Sequence, residues 1–450
     1  MKIRFVTLGC KLNFAESSAI GKALLEKGHT RAKQNEEADI CVINTCSVTD
    51  NADHKDRQTI HRIHRQNPNA IIIVTGCYAQ LQPEQIAQIE GVNYVLGQNE
   101  KYEIPALVER LESDAARAAI GRSQGELLAI GERREARGEE TMRRKGEIHV
   151  CAIREVEEFH GVHSADDRTR CFIKVQDGCN YFCSYCTIPY ARGKSRNPYI
   201  SEIVADAQKA LQQGAKELIL TGVNIGDFGR STGETFLELL RALDRLEAKG
   251  EEAKDYRIRI SSCEPNLLTD EIIDFVAQSR HFAPHFHIPL QSGSNEVLKI
   301  MGRRYTRELF EERVEHIKQV MPHAFIGVDC MVGVRGETAA YFEDYVAFIQ
   351  RLNVSQLHVF TYSERANTRM LEMELYVVPK AERQRRSKIL HEISEEKTRQ
   401  FYAEQTGREA IVLWESKKED EMMAGFTENY VKVHRAYDKE KVNTFEVIRL

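Results

Sequence analysis

Three cysteines in the run DGCNYFCSYCTIPYARG have the residue type and spacing for metal chemistry. Cys179, Cys183 and Cys186 follow a C-x3-C-x2-C pattern. Thiolates favour borderline metals and iron–sulfur clusters over hard cations. A structural zinc site is usually completed by a fourth Cys or His at short spacing, and the next cysteine is Cys263. The pattern therefore predicts a four-iron cluster with one iron left open. A zinc knuckle with a distant fourth ligand and buried free thiols are the alternatives.

A second set of three cysteines comes from a pattern that the N-terminal part repeats. Each copy is a β-rich apolar strand, a few small or polar residues and a cysteine: IRFVTLGC, ADICVINTC and NAIIIVTGC, ending at Cys10, Cys46 and Cys77. Helical segments are predicted after them, at about 14–27, 49–66 and 79–90. This alternation predicts a parallel sheet covered on both faces. Ligands of such sheets gather beyond the carboxyl ends of the strands, so a second cluster site is expected there, with simple packing as the alternative.

The central part repeats strand and helix six times. The predicted strands are CFIKV, KELILTG, RIRISS, HFHIPL, FIGVDCMVG and QLHVFTY, and the predicted helices lie near 200–213, 235–248, 269–278, 307–320 and 338–352. Six such units favour a parallel barrel, fully or partly closed, with its active site at the carboxyl ends of the strands.

Polar and glycine-rich segments follow these strands, so one rim should gather the three-Cys motif and its ligand contacts. Gly222 and Gly226 would let the backbone approach a ligand closely. Glu264 and Gln291 are candidate polar contacts, with a helix cap or a rim hydrogen bond as the alternative for each.

Composition and length indicate an intracellular enzyme of several domains. The 450 residues include 11 cysteines and carry a net charge of −5. This is not the pattern of a small secreted disulfide scaffold, and no apolar run reaches the length of a membrane span. The N-terminal MKIRFVTLG reads as a strand rather than a signal peptide. A reducing compartment, the cytoplasm, is expected. Any contact with nucleic acid must come from a local basic face.

Residues 113–164 differ in composition, and we predict a linker or solvated helix there. The stretch GERREARGEETMRRKGE is charged and interrupted by glycine. His149, His160 and His163 suggest a metal site, but their irregular spacing favours surface histidines. Cys151 and Cys171 have no other potential metal ligand at a characteristic spacing, and no role is assigned to them. Cys41 lies inside its strand and is assigned to the core.

The C-terminal part is predicted to be a long helix followed by a small antiparallel β-barrel. AIVLWES, MMAGFTENYVKVHRA and NTFEVIRL read as short strands with charged turns. A basic and aromatic cluster lies in these strands and their turns: Tyr430, Lys432, His434, Arg435, Tyr437, Lys439 and Lys441. Such a mixture suits phosphate and base contact, and a merely solvated surface is the alternative.

Over nearly the whole chain, these parts resemble the methylthiotransferases of radical S-adenosylmethionine (SAM) type. The matching stretches are GCKLN, NTCSVTDNAD, TGCYAQ, KVQDGCNYFCSYCTIPYARGKSRN, LTGVNIGDFG, HIPLQSGSNEVLKIMGRRY and GFTENYVKV. The resemblance implies an α/β protein with a flavodoxin-like domain at 1–112, a linker at 113–164, a radical SAM partial (β/α)6 barrel at 165–390 and a TRAM β-barrel at 391–450. GVRGET departs from the family pattern, which usually has Phe-Pro before GET.

The resemblance also implies cofactors and their residues. Two [4Fe-4S] clusters are implied, one on Cys10, Cys46 and Cys77 and one on Cys179, Cys183 and Cys186. SAM would contact Tyr185, Thr221, Gly222, Asn224, Glu264 and Gln291. RNA would contact Tyr430, Lys432, Arg435, Lys439 and Lys441.

Within this family, NTCSVTDNAD and PYARGKSRN are most similar to the branch that inserts a methylthio group at C2 of N6-threonylcarbamoyladenosine in tRNA, beside the anticodon. The isopentenyladenosine branch and the branch that modifies an aspartate of a ribosomal protein are the alternatives. A non-catalytic iron–sulfur or zinc RNA-binding protein is a third. The implied partners are the anticodon stem-loop of tRNA and a reductant protein such as a flavodoxin or ferredoxin.

Overall fold

The computed structural model describes residues 1–33, 36–125, 145–164, 169–246 and 256–450, with the backbone alone for 115–125 and 417–419. The predicted linker falls outside these residues at 126–144. Two compact units are present: Met1–Ser47 with Asn51–Val156, and Val48–Asp50 with Glu157–Leu450. In the part of the chain so described, no helix has the length and apolar character to cross a membrane.

The first unit is built on a six-stranded sheet in which every pair is parallel. Its order is β2-β1-β3-β4-β5-β6, the flavodoxin-like order with one added strand. The strands are β1 (Lys2–Thr7), β2 (Thr30–Arg31), β3 (Ile40–Thr45), β4 (Ile71–Gly76), β5 (Val92–Leu96) and β6 (Glu147–His149). Every residue of β3 is buried, because helices cover both faces of a parallel sheet.

The described residues of this unit include the helices α1 (Lys11–Glu26), α2 (Asp50–Gln66), α3 (Cys77–Leu81), α4 (Pro83–Ala87) and α5 (Ile104–Gly125) between these strands. The single helix predicted at 79–90 is two short helices, because Pro83 pushes Gln82 out of the helical region, to φ −139° and ψ 52°. α5 and β6 extend into the segment that the sequence assigns to a linker. The domain limits stay predictions.

The barrel of the second unit has the six predicted parallel strands, in two sheets, β7-β8-β9 and β10-β11-β12. They are β7 (Arg170–Lys174), β8 (Glu217–Thr221), β9 (Arg257–Ile260), β10 (His285–Gln291), β11 (Phe325–Val332) and β12 (Gln356–Thr361). Parallel bridges from Ile258 to Phe282 and from Ser262 to His287 join the two sheets. The strands therefore form a partial barrel, as predicted.

The helices of this barrel are α6 (Ile188–Arg192), α7 (Ile200–Gln212), α8 (Phe236–Asp244), α9 (Asp270–Gln278), α10 (Asn295–Met301), α11 (Arg307–Val320), α12 (Ala339–Arg351) and α13 (Arg369–Glu372). Thr235 and Glu238 form a capping box that starts α8. The helix predicted at 235–248 already ends at Asp244, and α10 was not predicted.

The C-terminal part consists of α14 (Lys380–Glu404) and a curled antiparallel sheet in the order β15-β14-β13-β16. Its strands are β13 (Glu409–Glu419), β14 (Met422–Phe426), β15 (Lys432–Ala436) and β16 (Phe445–Arg449). β13 pairs with β16 through its first half and with β14 beyond it. Trp414, Val412 and Met423 form a small core inside the curl.

Candidate cluster and cofactor sites

The first cysteine triplet lies at one edge of the N-terminal sheet. Cys10, Cys46 and Cys77 follow β1, β3 and β4, which are neighbours in the sheet. A Cβ on Gly9 would lie 3.2 Å from the Sγ of Cys46, so the chain at Cys10 runs close to the second cysteine. β1 and β3 flank the switch point of this topology, where doubly wound sheets bind their ligands.

A buried polar network contacts the cysteine site at Cys77. Gln98 donates a hydrogen bond to the Sγ of Cys77 at 3.6 Å, and its amide oxygen accepts one from Lys101. The Lys101 ammonium pairs with the Glu16 carboxylate at 2.8 Å, and both side chains are almost completely buried. The sequence carries no signal for this network, because its members come from α1, from the residues after β5 and from the turn before α5.

The backbone of the second cysteine is held in a similar way. The N–H of Cys46 donates to Asp56 at 2.9 Å, and the hydroxyl of Ser47 donates to Asp53 at 2.9 Å. Burial raises the pKa of Asp56 to about 7, although its bond from Cys46 opposes the shift. Asp53 and Asp56 of α2 are therefore turned toward the cysteine loop.

The second triplet lies in the loop after β7, where burial disfavours the thiolate. Burial raises the pKa of Cys179 to about 11 and that of Cys186 to about 12, and it also raises the pKa of Cys183. The Arg303 guanidinium opposes this effect, since it donates to the Sγ of Cys183 at 3.2 Å. A thiolate is the form that binds metal, so Arg303 favours the ligating state.

Arg303 is the centre of a polar cluster that the sequence analysis did not identify. Its guanidinium donates to the hydroxyls of Tyr185 at 3.3 Å and Tyr305 at 3.0 Å, and it forms an ion pair with Glu264. Glu264, a predicted SAM contact, is thus engaged by Arg303. The available signal was the stretch MGRRY, which lies within the family resemblance.

The loops after β7 and β8 are joined by Gln176. Its amide oxygen accepts from the backbone N–H groups of Val223 and Asn224, at 3.0 and 2.8 Å. A Cβ on Gly222 would lie 2.8 Å from the backbone oxygen of Gln176. The close approach that this glycine permits is therefore to Gln176, and Thr221 accepts from the Val175 N–H at 2.9 Å.

Two predicted SAM contacts, Asn224 and Gln291, have buried polar atoms that are not hydrogen-bonded to any described residue. Both side-chain polar atoms of Asn224 and the amide oxygen of Gln291 are buried and make no hydrogen bond within the described chain. Gln291 also has a φ of +66°, which is uncommon for a residue other than glycine. Buried amides are normally satisfied, so both side chains are suited to a polar ligand.

Gln291 also lines a cavity of about 220 Å³ at the carboxyl ends of the strands. Tyr185, Cys186, Asp329 and Met331 are among the other lining residues. Asp329 is bonded to His287 at 2.7 Å. The cavity thus places a cluster cysteine, a carboxylate and an unsatisfied amide around one space.

Within the described ranges, no three His, Cys, Asp or Glu side chains are arranged to share a single metal ion. A four-iron cluster binds each cysteine to a different iron, so its ligands do not need that arrangement. His149 and His163 lie next to acidic side chains, at 2.9 Å from Glu147 and 3.5 Å from Asp206. His160 is 3.9 Å from Glu158.

Tyr430, predicted to contact RNA, packs against the barrel. Its ring stacks on Phe426, with centroids 4.8 Å apart, lies 4.9 Å from the ring of His285 and receives the Arg259 guanidinium at 4.8 Å. These contacts give the partly exposed ring a packing role within the protein, and its contact with RNA stays a prediction.

The predicted basic RNA contacts differ in how their charges are compensated. Arg435 and Lys441 both pair with Glu446, at 2.6 and 3.0 Å. Lys432 and Lys439 are exposed. These four residues remain predicted RNA contacts.

Comparison with known proteins agrees with this architecture. The family described as "Uncharacterized protein family UPF0004" matches residues 2–97, and the "Radical SAM superfamily" matches residues 173–349. The fold is similar to that of the radical SAM methyltransferase TsrM from Kitasatospora setae, with a TM-score of 0.53 at 15% identity, covering 80% of this chain and 72% of that one.

Relatives with assigned names cover nearly the whole chain. The threonylcarbamoyladenosine tRNA methylthiotransferase MtaB of Bacillus subtilis is 36% identical over 96% of this chain and 89% of its own. MtaB of Aquifex aeolicus is 34% identical over 98% of each chain. A tRNA-2-methylthio-N(6)-dimethylallyladenosine synthase of Alkaliphilus oremlandii is 30% identical over 88% of this chain and 78% of its own. The chain therefore belongs to the radical SAM methylthiotransferases, in the MtaB branch.

Proposed function

We propose that this chain inserts a methylthio group at C2 of N6-threonylcarbamoyladenosine next to the anticodon of tRNA. The observation that carries the proposal is the pair of cysteine triplets, each beyond the carboxyl ends of parallel strands. Two three-cysteine sites leave two irons open, which a single-cluster enzyme or a binding protein does not require. The identity to relatives named MtaB favours this base over isopentenyladenosine.

The cysteines fit the clusters that the proposal needs. Cys179, Cys183 and Cys186 would hold one, and Cys10, Cys46 and Cys77 the other. When bound, the barrel cluster supplies the electron that cleaves SAM reductively, and the N-terminal cluster supplies an iron that can hold sulfur. The electron would come from a reductant protein such as a flavodoxin or ferredoxin, in a reducing cytoplasm.

In this proposal, the side chains around the barrel site bind SAM and hold it in a fixed orientation. Asn224 and Gln291 would donate to and accept from the polar groups of SAM, together with Tyr185, Thr221 and Gly222. Gln176 holds the loop that carries Asn224. Arg303 favours the thiolate of Cys183 and keeps Glu264 in place.

The cavity beside Cys186 is the proposed binding position of the adenine base of the substrate tRNA. A base must leave its stack to enter such a space. Asp329, oriented by His287, would face the base there as a hydrogen-bond acceptor. Reactive species formed there would have to be kept from water.

Nucleoside mass spectrometry of tRNA tests the proposal. Cells without the gene should lose 2-methylthio-N6-threonylcarbamoyladenosine and accumulate its precursor, and the wild-type gene should restore the product. Loss of the methylthio form of isopentenyladenosine instead would move the assignment to that branch. If the tRNA is unchanged and an aspartate of a ribosomal protein loses its methylthio group instead, the chain belongs to the branch that modifies that protein.

A pair of variants tests the division of roles. Replacing Cys10, Cys46 and Cys77 by Ala should leave 5′-deoxyadenosine formation intact and abolish the methylthio product. Replacing Cys179, Cys183 and Cys186 should abolish both. Methylthiolation by the first variant would contradict the role given to the N-terminal cluster.

A further inference from the structure

The outward side of α2 carries a stripe of cationic and neutral polar residues. It begins shortly after Cys46, and its exposed members between positions 54 and 65 are His54, Lys55, Gln58, His61, Arg62 and Arg65. We name these six residues the α2 cationic face. The acids of the same stretch, Asp53 and Asp56, are buried and bonded to Ser47 and Cys46, so the exposed side of this stretch lacks negative charge.

The face is continuous because its members recur every three or four residues, which places them on one side of a helix. The opposite side carries Ile60 and Ile63, which are buried in the core of the sheet. At 1.5 Å per residue, Lys55 and Arg65 lie about 15 Å apart along the axis. This length spans several phosphates of a nucleic-acid strand.

The cations on this face lack close ion-pair partners in the described part of the chain, although Lys55 attracts the buried Asp56 carboxylate at longer range. Among the described residues, no ion pair involves Lys55, Arg62 or Arg65, whereas other exposed cations have partners, such as Arg399 with Glu396 at 2.5 Å. The helix dipole stabilises cations only in the last turn of a helix. It can therefore account for the position of Arg65 but not for that of Lys55. The net charge of the chain, −5, does not explain a cationic stripe either.

We propose that the α2 cationic face binds the phosphate backbone of the substrate RNA, giving the N-terminal unit its own RNA contact. The inference rests on the proposed function only in taking tRNA as the substrate. Charge complementarity carries it, since a polyanion can neutralise a row of exposed cations that have no close ion-pair partners among the described residues, and it needs no shaped pocket to do so. The face begins on the helix whose Asp53 and Asp56 bond to Ser47 and Cys46, so His54 and Lys55 are the members that lie nearest to the Cys46 loop.

The test removes three charges from the full-length, cluster-loaded protein. We expect the variant Lys55→Gln/Arg62→Gln/Arg65→Gln to bind an unmodified tRNA transcript at least about tenfold more weakly at low salt. The slope of log K against log salt should fall by about two to three, because each lost phosphate contact removes nearly one unit. Iron content and RNA-independent cleavage of SAM should stay at wild-type levels, which shows that the variant is folded.

A matched control removes the same charge elsewhere. Arg385→Gln/Lys388→Gln/Arg399→Gln lies on α14, where each cation is exposed and paired with a glutamate. We expect its affinity and salt slope to match wild type. Equal losses in both triple variants would overturn the proposal by showing a general charge effect.

Two further outcomes would also overturn it. The first is an α2 variant with wild-type affinity and slope. The second is one that keeps tRNA affinity but is no longer reduced by a flavodoxin, which would make the face a docking site for an acidic protein. If wild-type protein binds tRNA through this face yet makes no methylthio product, the inference stands and the proposed function fails.

Discussion

At the scale of single residues, Arg303 links the parts of the barrel site. It contacts a cluster cysteine, two tyrosines and Glu264, although it lies 120 residues from Cys183. A guanidinium suits this place because it presents several donors in a rigid plane and stays charged when buried. It stabilises the ligating thiolate and neutralises a buried carboxylate with one side chain.

Replacing Arg303 by Met should therefore affect both stability and cluster loading. It leaves Glu264 buried without its partner, which we expect to lower the free energy of unfolding by about 3 kcal/mol. The barrel cluster should also load less fully. Denaturant unfolding and iron analysis measure these effects. The double variant Arg303→Met/Glu264→Gln should recover most of the stability, and Arg304→Met, which removes an exposed charge from the next position, should stay near wild type.

The cysteines themselves predict the iron content. Anaerobically reconstituted protein should bind about eight irons, and replacing either triplet by Ala should leave about four. The measurement is iron and sulfide per chain. Wild-type protein with about four irons, or with stoichiometric zinc, would contradict the two-cluster assignment.

At the scale of elements, the loops after β7 and β8 position each other through Gln176 and Gly222. We expect Gly222→Ala to displace the Asn224 loop, because the added Cβ would meet backbone at 2.8 Å. SAM affinity, measured by calorimetry, should fall about tenfold, equivalent to about 1.4 kcal/mol. Gly21→Ala is the contrasting control. Its Cβ would meet only the Phe5 ring at 3.4 Å, and within α1 it should raise stability by up to about 1 kcal/mol. Wild-type SAM affinity in Gly222→Ala would show that the loop tolerates the added group.

The start of the barrel strands is joined to the C-terminal sheet by a buried ion cluster. Glu217 on β8 pairs with Arg257 and Arg259. These arginines also donate to backbone oxygens of the C-terminal sheet, including those of Phe426 and Glu428. The Glu217 carboxylate therefore orients the two arginines, which in turn hold the C-terminal sheet through hydrogen bonds to its backbone.

Glu217→Gln should lower the free energy of unfolding by about 3 to 5 kcal/mol, because two buried cations lose their partner. Burial raises the pKa of Glu217, but the two arginines outweigh it and hold the pKa at about 2. Because this pKa lies below that of the unfolded chain, about 4.3, the stabilisation is complete above that value and is lost as pH falls toward 2. Unfolding at pH 3 to 7 tests this: the gap between variant and wild type should narrow in acid. Glu415→Gln breaks the more exposed pair with Arg170 and should cost under about 1 kcal/mol.

At the scale of the whole molecule, the C-terminal sheet is part of the barrel's packing. Deleting residues 407–450 would remove Tyr430 from Phe325 and His285 and leave the arginine donors without their carbonyl partners. We expect the truncated chain to melt several degrees below wild type, so a loss of RNA binding in it would have two causes. The variant Lys432→Gln/Lys439→Gln separates them: it should keep the wild-type melting temperature and lower the salt slope of tRNA binding by about one to two. An unchanged slope would remove these lysines from the RNA contacts.

The sequence by itself predicted β1, β3 and β4 of the first unit, the six parallel strands of the barrel, and the position of Cys10, Cys46 and Cys77 beyond strand ends. These features follow from local patterns: continuous apolar strands, helical periodicity and a cysteine at the same place in each repeat. The family followed from long contiguous motifs. The break at Gln82, the strands β2, β5 and β6, and the helices α5, α6, α10 and α13 were not predicted. Apart from α5, whose second half falls in the predicted linker, these are short elements with too few periodic residues to be read.

Only the tertiary structure decided which distant residues meet at these strand ends. Arg303 reaches Cys183, Gln98 reaches Cys77 and Tyr430 turns onto the barrel. Sequence spacing carries no information on such contacts, because they form when strands far apart in the chain become neighbours and helices close over them. Lys55, Arg62 and Arg65 could be read as basic from the sequence. Their common exposure, and the burial of the neighbouring Asp53 and Asp56, depend on which side of α2 packs on the sheet.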